Sequence, residues 1–163
     1  MDTLSQTDAK LFHKLMDSLL FFVNKKLNII KNCSSLDEFH NNDIEKTIPI
    51  RKKVFSDNVL IDEYTQNNPD NLSSDEVKII SSWRKSLEGD FLIFKYTNEY
   101  ALFLHSKGER VYGVKGIYDS FKEKFDGYSP VMIKIRLLHF RENLIYDGIF
   151  FPCVLLSIVF LQC

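Results

Sequence analysis

The sequence predicts an α+β fold in which N-terminal helices are packed on one face of a small antiparallel β-meander. Three observations carry that prediction. Apolar residues recur at helical spacing through the first half; two S-x-x-E capping signatures open helices there; and aromatic, β-branched runs joined by tight turns take over from Asp90. At 163 residues the chain is read as one domain, 1–163, helical over 1–89 and β-rich over 90–163.

The first helix is expected over Leu11–Ile30. There Leu11, Leu15, Leu19 and Phe22 share a stripe that Phe12, Met16, Leu20 and Val23 widen, and Ser5 with Asp8 stands as its capping pair. Ser35 with Glu38 opens a short helix through Phe39. Pro49 suits the first turn of a further helix carrying Ile50, Val54, Ile61 and Tyr64, ended by Asn67-Asn68-Pro69. Ser73 with Glu76 caps a helix whose buried face is Val77, Ile80, Trp83 and Leu87, with Gly89 as a left-handed stop.

From Asp90 the period changes to that of strands. Phe91–Tyr96 and Tyr100–His105 read as a hairpin about Thr97-Asn98-Glu99, followed by a turn at Ser106–Glu109 and a strand Arg110–Val114. Ser120–Phe125 is a turn of helix with Asp119 as its cap. Val131–Leu138 alternates cleanly, with Lys134 and Arg136 on the polar face; His139–Asn143 is a turn and Leu144–Tyr146 starts another strand. Gly148–Cys163 carries no charge. It is short for a spanning helix and is interrupted by Pro152, so a buried strand or strand pair is expected, with a membrane tail over Ile149–Leu161 as the competing reading.

Composition excludes several classes. Hydrophobic residues at 45% and charged residues at 26% are globular values, not those of a disordered, collagen-like or polytopic membrane chain. Lys and Arg number 21 against 22 Asp and Glu, a net charge of −1, so the basic excess of a general nucleic-acid binder is missing. Cys33, Cys153 and Cys163 form no C-x-x-C pair, which points to reduced thiols in the cytoplasm.

Between about Val54 and Gly148 the order of signals resembles a group of uncharacterised prokaryotic proteins. The residues that carry the likeness are Asn68-Pro69, Trp83 in a capped helix, the aromatic run Phe91–Tyr96, Tyr112-Gly113-Val114, and Leu137-Leu138-His139-Phe140 leading to Ile145-Tyr146-Asp147-Gly148. The resemblance implies no established activity. The chain departs from the group's pattern at His139, where the group has a proline, and after Gly148, where further polar strands are expected.

Candidate chemistry lies in the β-rich half. Asp119, His139, Glu142 and Asp147 are the residues from which a His–carboxylate general base could be assembled, although none falls in a ligand motif. Each also has a structural reading: a cap for Asp119, a surface pair for His139 and Glu142, turn chemistry for Asp147. His105 is read as a solvated histidine beside a turn. Arg51, Lys52 and Lys53 form the strongest basic cluster, either a solvated helix start or a contact for phosphate or nucleic acid. No cofactor motif and no metal-ligand spacing is present, so none is expected.

The function expected is a non-catalytic protein-interaction or regulatory module, its partner or second copy docking on the Leu11–Ile30 helix. A small hydrolase or nuclease-like enzyme using Asp119, His139, Glu142 and Asp147 is the alternative. Membrane association through the apolar tail is the third reading, and no nucleic-acid partner is expected.

Overall fold

The computed structural model describes residues 1–56 and 58–153. Helices occupy the first half and strands the second, an α+β arrangement. The described residues form two units: one holds Met1–Ser5, Leu87–Leu138 and 142–153, the other Gln6–Ser86 and His139–Arg141.

The helical unit is built on α1 (Gln6–Leu27), whose apolar arc is buried along its length. Phe12, Leu15, Leu19, Leu20 and Val23 are all closed to solvent. Around it stand α2 (Leu36–His40), α3 (Ile48–Ser56), α4 (Val59–Asn67) and α5 (Ser74–Ser82), which bring Phe39, Ile50, Val54, Ile61, Tyr64 and Ile80 into the same interior. Both expected capping boxes form. Ser35 receives the Glu38 N–H and Ser73 the Glu76 N–H, each glutamate reaching back to the capping residue's own N–H.

Two expectations for this half need correction. The single helix carrying Ile50 through Tyr64 is two helices, α3 ending at Ser56 and α4 starting at Val59. Its end is as expected: Asn68 turns left-handed at φ 40° and its N–H bonds the Tyr64 carbonyl. Gly89 is not a helix stop. A short 3-10 turn at Trp83–Lys85 already ends the helix, and Leu87 and Gly89 belong to the first strand.

Trp83 closes the helical unit. Its ring is fully buried and meets Phe12 edge-on at 5.9 Å, while its Nε1–H donates to the His139 carbonyl at 3.0 Å. Phe140 fills the other side of Phe12 at 6.3 Å, and Arg141 pairs with Asp8.

The second unit is a five-stranded closed barrel: β1 (Leu87–Tyr96), β2 (Ala101–His105), β3 (Val111–Val114), β4 (Val131–Phe140) and β5 (Asn143–Pro152), in the order β1-β2-β3-β5-β4. The meander is therefore only partial. β1, β2 and β3 follow one another antiparallel, but β4 returns to the far side of β1, and β3 meets β5 in parallel through Val114 and Leu144. Alternation decides the inside: Phe91, Ile93, Phe103, Ile133, Ile135, Leu137 and Ile145 fill the interior.

The one-turn helix α6 (Phe121–Lys124) supplies a further interior residue. Phe121 is buried between Phe103 at 4.9 Å and Tyr146 at 5.2 Å. Its cap is Ser120, in a box with Glu123, and not Asp119. Met1–Ser5 belongs to this unit too, since the Leu4 N–H bonds the Gly116 carbonyl and the Gly116 N–H bonds that of Asp2.

The β4–β5 turn is tighter than expected, because β4 runs on through Phe140 and only Arg141-Glu142 turn, with Arg141 at φ 53°. β5 then passes through Gly148, whose φ of 95° suits a residue without a side chain, and reaches Pro152. The remainder of the apolar tail, including Cys163 and most of the segment 149–161, lies outside the described residues. Among those residues no helix is long and apolar enough to cross a membrane.

Replacing Trp83 by Phe removes the one N–H among the His139 carbonyl's two donors and some buried volume. Urea denaturation should show a loss of about 1–3 kcal/mol with an unchanged slope. Glu76 tests the α5 start. A hydrogen bond from the Lys14 ammonium, then the Ser73 N–H, holds its carboxyl down to about 2 from an ordinary 4.5. That stabilisation is complete above pH 4.5 and is lost as pH falls towards 2, so Glu76→Gln should flatten the wild-type fall in urea midpoint across that window.

Candidate functional site

Of the four carboxylate and histidine candidates, Asp119 and Asp147 have side-chain partners of their own, while His139 and Glu142 are exposed. His139 is exposed, and its carbonyl accepts from Trp83 and from the Ser82 hydroxyl at 3.2 Å. Glu142 is exposed in the β4–β5 turn. Asp119 is an exposed loop residue bound to Lys124 at 3.2 Å. Asp147 is buried in β5, where its Oδ1 takes the Ile149 N–H at 3.1 Å; the Asp-Gly turn chemistry read from the sequence survives as a kink within the strand.

Asp119, Asp147 and Lys124 all act electrostatically on the buried phenol of Tyr146. Burial pushes the Tyr146 phenol up, against the pull of Lys124. Burial also opposes the Lys124 charge, but Tyr146 and Asp119 outweigh it and raise its pKa above the ordinary lysine value. Both groups thus move away from the neutral range in which a general acid or base works best, and the cluster reads as a fastening of α6 to β5. Among the described residues no group of His, Cys, Asp and Glu could hold a metal ion.

The basic cluster is divided by its helix. Arg51 is 8% exposed and its Nε donates to the Thr47 hydroxyl at 3.1 Å, whereas Lys52 and Lys53 face solvent. His13 is half-buried, and its pKa lies below the ordinary histidine value chiefly through desolvation. The thiols of Cys33 and Cys153 are both raised by desolvation, Cys33 further by Glu38 and Cys153 by Asp90, which leaves neither as an activated nucleophile.

What sequence reasoning missed is the outer face of the barrel. Residues opposite one another across four strands are Met132, Leu92, Leu104 and Val111, one from each of β4, β1, β2 and β3. Their neighbours Ile133, Phe91, Ile93 and Phe103 are closed inside, so these four lie on the outward side; three are partly exposed and Val111 is 52% exposed. Leu102 extends the row. A bulge between Ile93 and Lys95 turns out Phe94, which is 39% exposed. Towards the other end the same face becomes charged, with Asp90 opposite Lys134 and Glu88 paired to Arg136. A single short run could not reveal this surface, because which face of a strand is buried depends on its partners.

His105 is also not the solvated residue expected. It is half-buried, its ring edge-on to Phe91 at 4.9 Å, and its Nδ1 accepts the Lys107 N–H at 3.0 Å. That bond makes Nε2 the protonated nitrogen of the neutral ring. The ring rests over Gly89, where a Cβ would lie 2.5 Å from Nε2. Glycine is required there by close approach. Gly89→Ala should cost about 1–3 kcal/mol in thermal or urea unfolding, and His105→Ala in the same chain should recover most of it, a coupling absent if the ring merely swings aside.

No family model, no curated protein and no solved structure matches this chain.

Proposed function

We propose that this protein is a non-catalytic interaction module whose working surface is the outer face of the barrel. The observation that carries this reading is the apolar row Met132–Leu92–Leu104–Val111, widened by Leu102 and Phe94, on a strand surface that would carry polar residues if it met only water. The helix first expected to receive a partner supports a different role. The apolar residues of α1 are buried within the helical unit, so the barrel row replaces it as the docking surface.

The strand order, with a helix between β3 and β4, is the arrangement of OB-type barrels, which hold oligonucleotides and oligosaccharides on the β2–β3 face. Here the middle of that face is aliphatic, and at its end Tyr100 lies against Gly113 beneath Lys115. Bases stack on aromatic side chains among cations, and Leu102, Leu104 and Val111 offer neither, so a protein surface fits better. A cytoplasmic, prokaryotic setting belongs to the same reading, supported by the free thiols Cys33 and Cys153 and by the likeness over 54–148.

The test is a comparison of wild-type protein with Leu104→Asp/Val111→Asp as baits, followed by purification of any partner retained and measurement of its Kd. The double variant should keep the wild-type circular dichroism and melting and weaken binding at least about tenfold, as expected when two apolar contacts are lost. Equal retention of the same partners by both baits removes the row as the interface.

A further inference from the structure

The mouth of the barrel beside the β2–β3 turn is an open depression of about 680 Å³. Leu87 and Tyr112 supply its apolar lining, and His105, Lys107, Glu109 and Arg110 its polar lining. The turn is held firmly: the Ser106 N–H bonds the Asp90 carbonyl at 2.8 Å and the Gly108 N–H that of His105 at 3.1 Å. His105 is seated by Gly89, Phe91 and the Lys107 N–H, and the Tyr112 ring rests edge-on against Phe91 at 5.9 Å.

Some cations of this protein meet carboxylates, as Lys14 does Glu76, Arg84 does Asp62, Lys124 does Asp119 and Arg136 does Glu88, and others, such as Lys52, Lys53 and Lys95, face solvent; the mouth differs in bringing two cations to one depression. Among the described residues Lys107 and Arg110 form no ion pair, although Glu109 lies between them in sequence. Two cations, Lys107 and Arg110, thus line this depression together with His105 and Tyr112 and a single carboxylate, Glu109.

We propose that the barrel mouth binds a small organic phosphate, with its phosphate on Lys107 and Arg110 and its organic body against Tyr112 and Leu87. The Arg110 fork and the Lys107 ammonium together match the several oxygens of a phosphate monoester better than the two of a carboxylate. The site lies apart from the aliphatic row and stands or falls independently of the partner-binding reading.

The experiment is a titration of the ¹⁵N-labelled full chain with phenyl phosphate, inorganic phosphate and phenol, followed by amide shifts. Phenyl phosphate should shift the amides of residues 105–112 saturably, about tenfold more tightly than inorganic phosphate, and phenol should shift none. Lys107→Ala/Arg110→Ala should weaken that binding at least about tenfold, whereas Lys95→Ala, which removes an exposed cation outside the depression, should leave it unchanged. No saturable shift in the turn, or an equal loss in Lys95→Ala, overturns the site. Equal affinity for phenyl phosphate and inorganic phosphate overturns the assignment of an organic ligand.

Discussion

The hydrogen bond from the Trp83 indole to the His139 carbonyl fixes how the helical half of this protein is completed. Trp83 has a large apolar body and one polar N–H, and such a group can be buried only where an acceptor is brought to it. None of α1 to α5 supplies that acceptor; the end of β4 does, bringing Phe140 against Phe12 at the same time. The helical interior therefore depends on three residues from far along the chain. Arg141, paired with Asp8 at the start of α1, fastens the same short segment again.

The barrel is governed by a different constraint, the need to leave no strand edge across a small interior. β1 answers it by pairing with β2 along its second half and with β4 along its first two-thirds, which its ten residues and central bulge allow. The contact between β3 and β5 is much shorter, a single bridge beside the Lys115-to-Leu144 hydrogen bond. Phe121 joins the interior from α6, so a ring series runs from Phe91 through Phe103 and Phe121 to Tyr146.

Local chemistry is legible in the sequence and long-range pairing is not. The boxes at Ser35 and Ser73 and the helix end at Asn68-Pro69 can be read because each depends on residues a few positions apart, although the left-handed turn of Asn68 emerges only in the structure. The same signal at Ser120 and Glu123 is masked by Asp119, an adjacent residue of equally good capping chemistry. Neither proline nor glycine marks the break between α3 and α4, and the helical spacing of Trp83 and Leu87 continues by accident into β1. The parallel approach of β3 and β5 joins residues thirty apart by one bridge and leaves no pattern in either run. For the site, residue type draws attention to Asp119, His139, Glu142 and Asp147, while the apolar row and the seat of His105 on Gly89 exist only through cross-strand neighbours.

The exchange of segments between the two units bears on how the chain matures. The ribosome releases residues 6–86 well before it makes His139–Arg141, so the indole of Trp83 must wait, without its acceptor, until most of the barrel has been synthesised. The barrel in turn uses Met1–Ser5, made before any of its strands, against Gly116. A cut at the junction of residues 86 and 87 would yield two fragments that each lack a piece carried by the other.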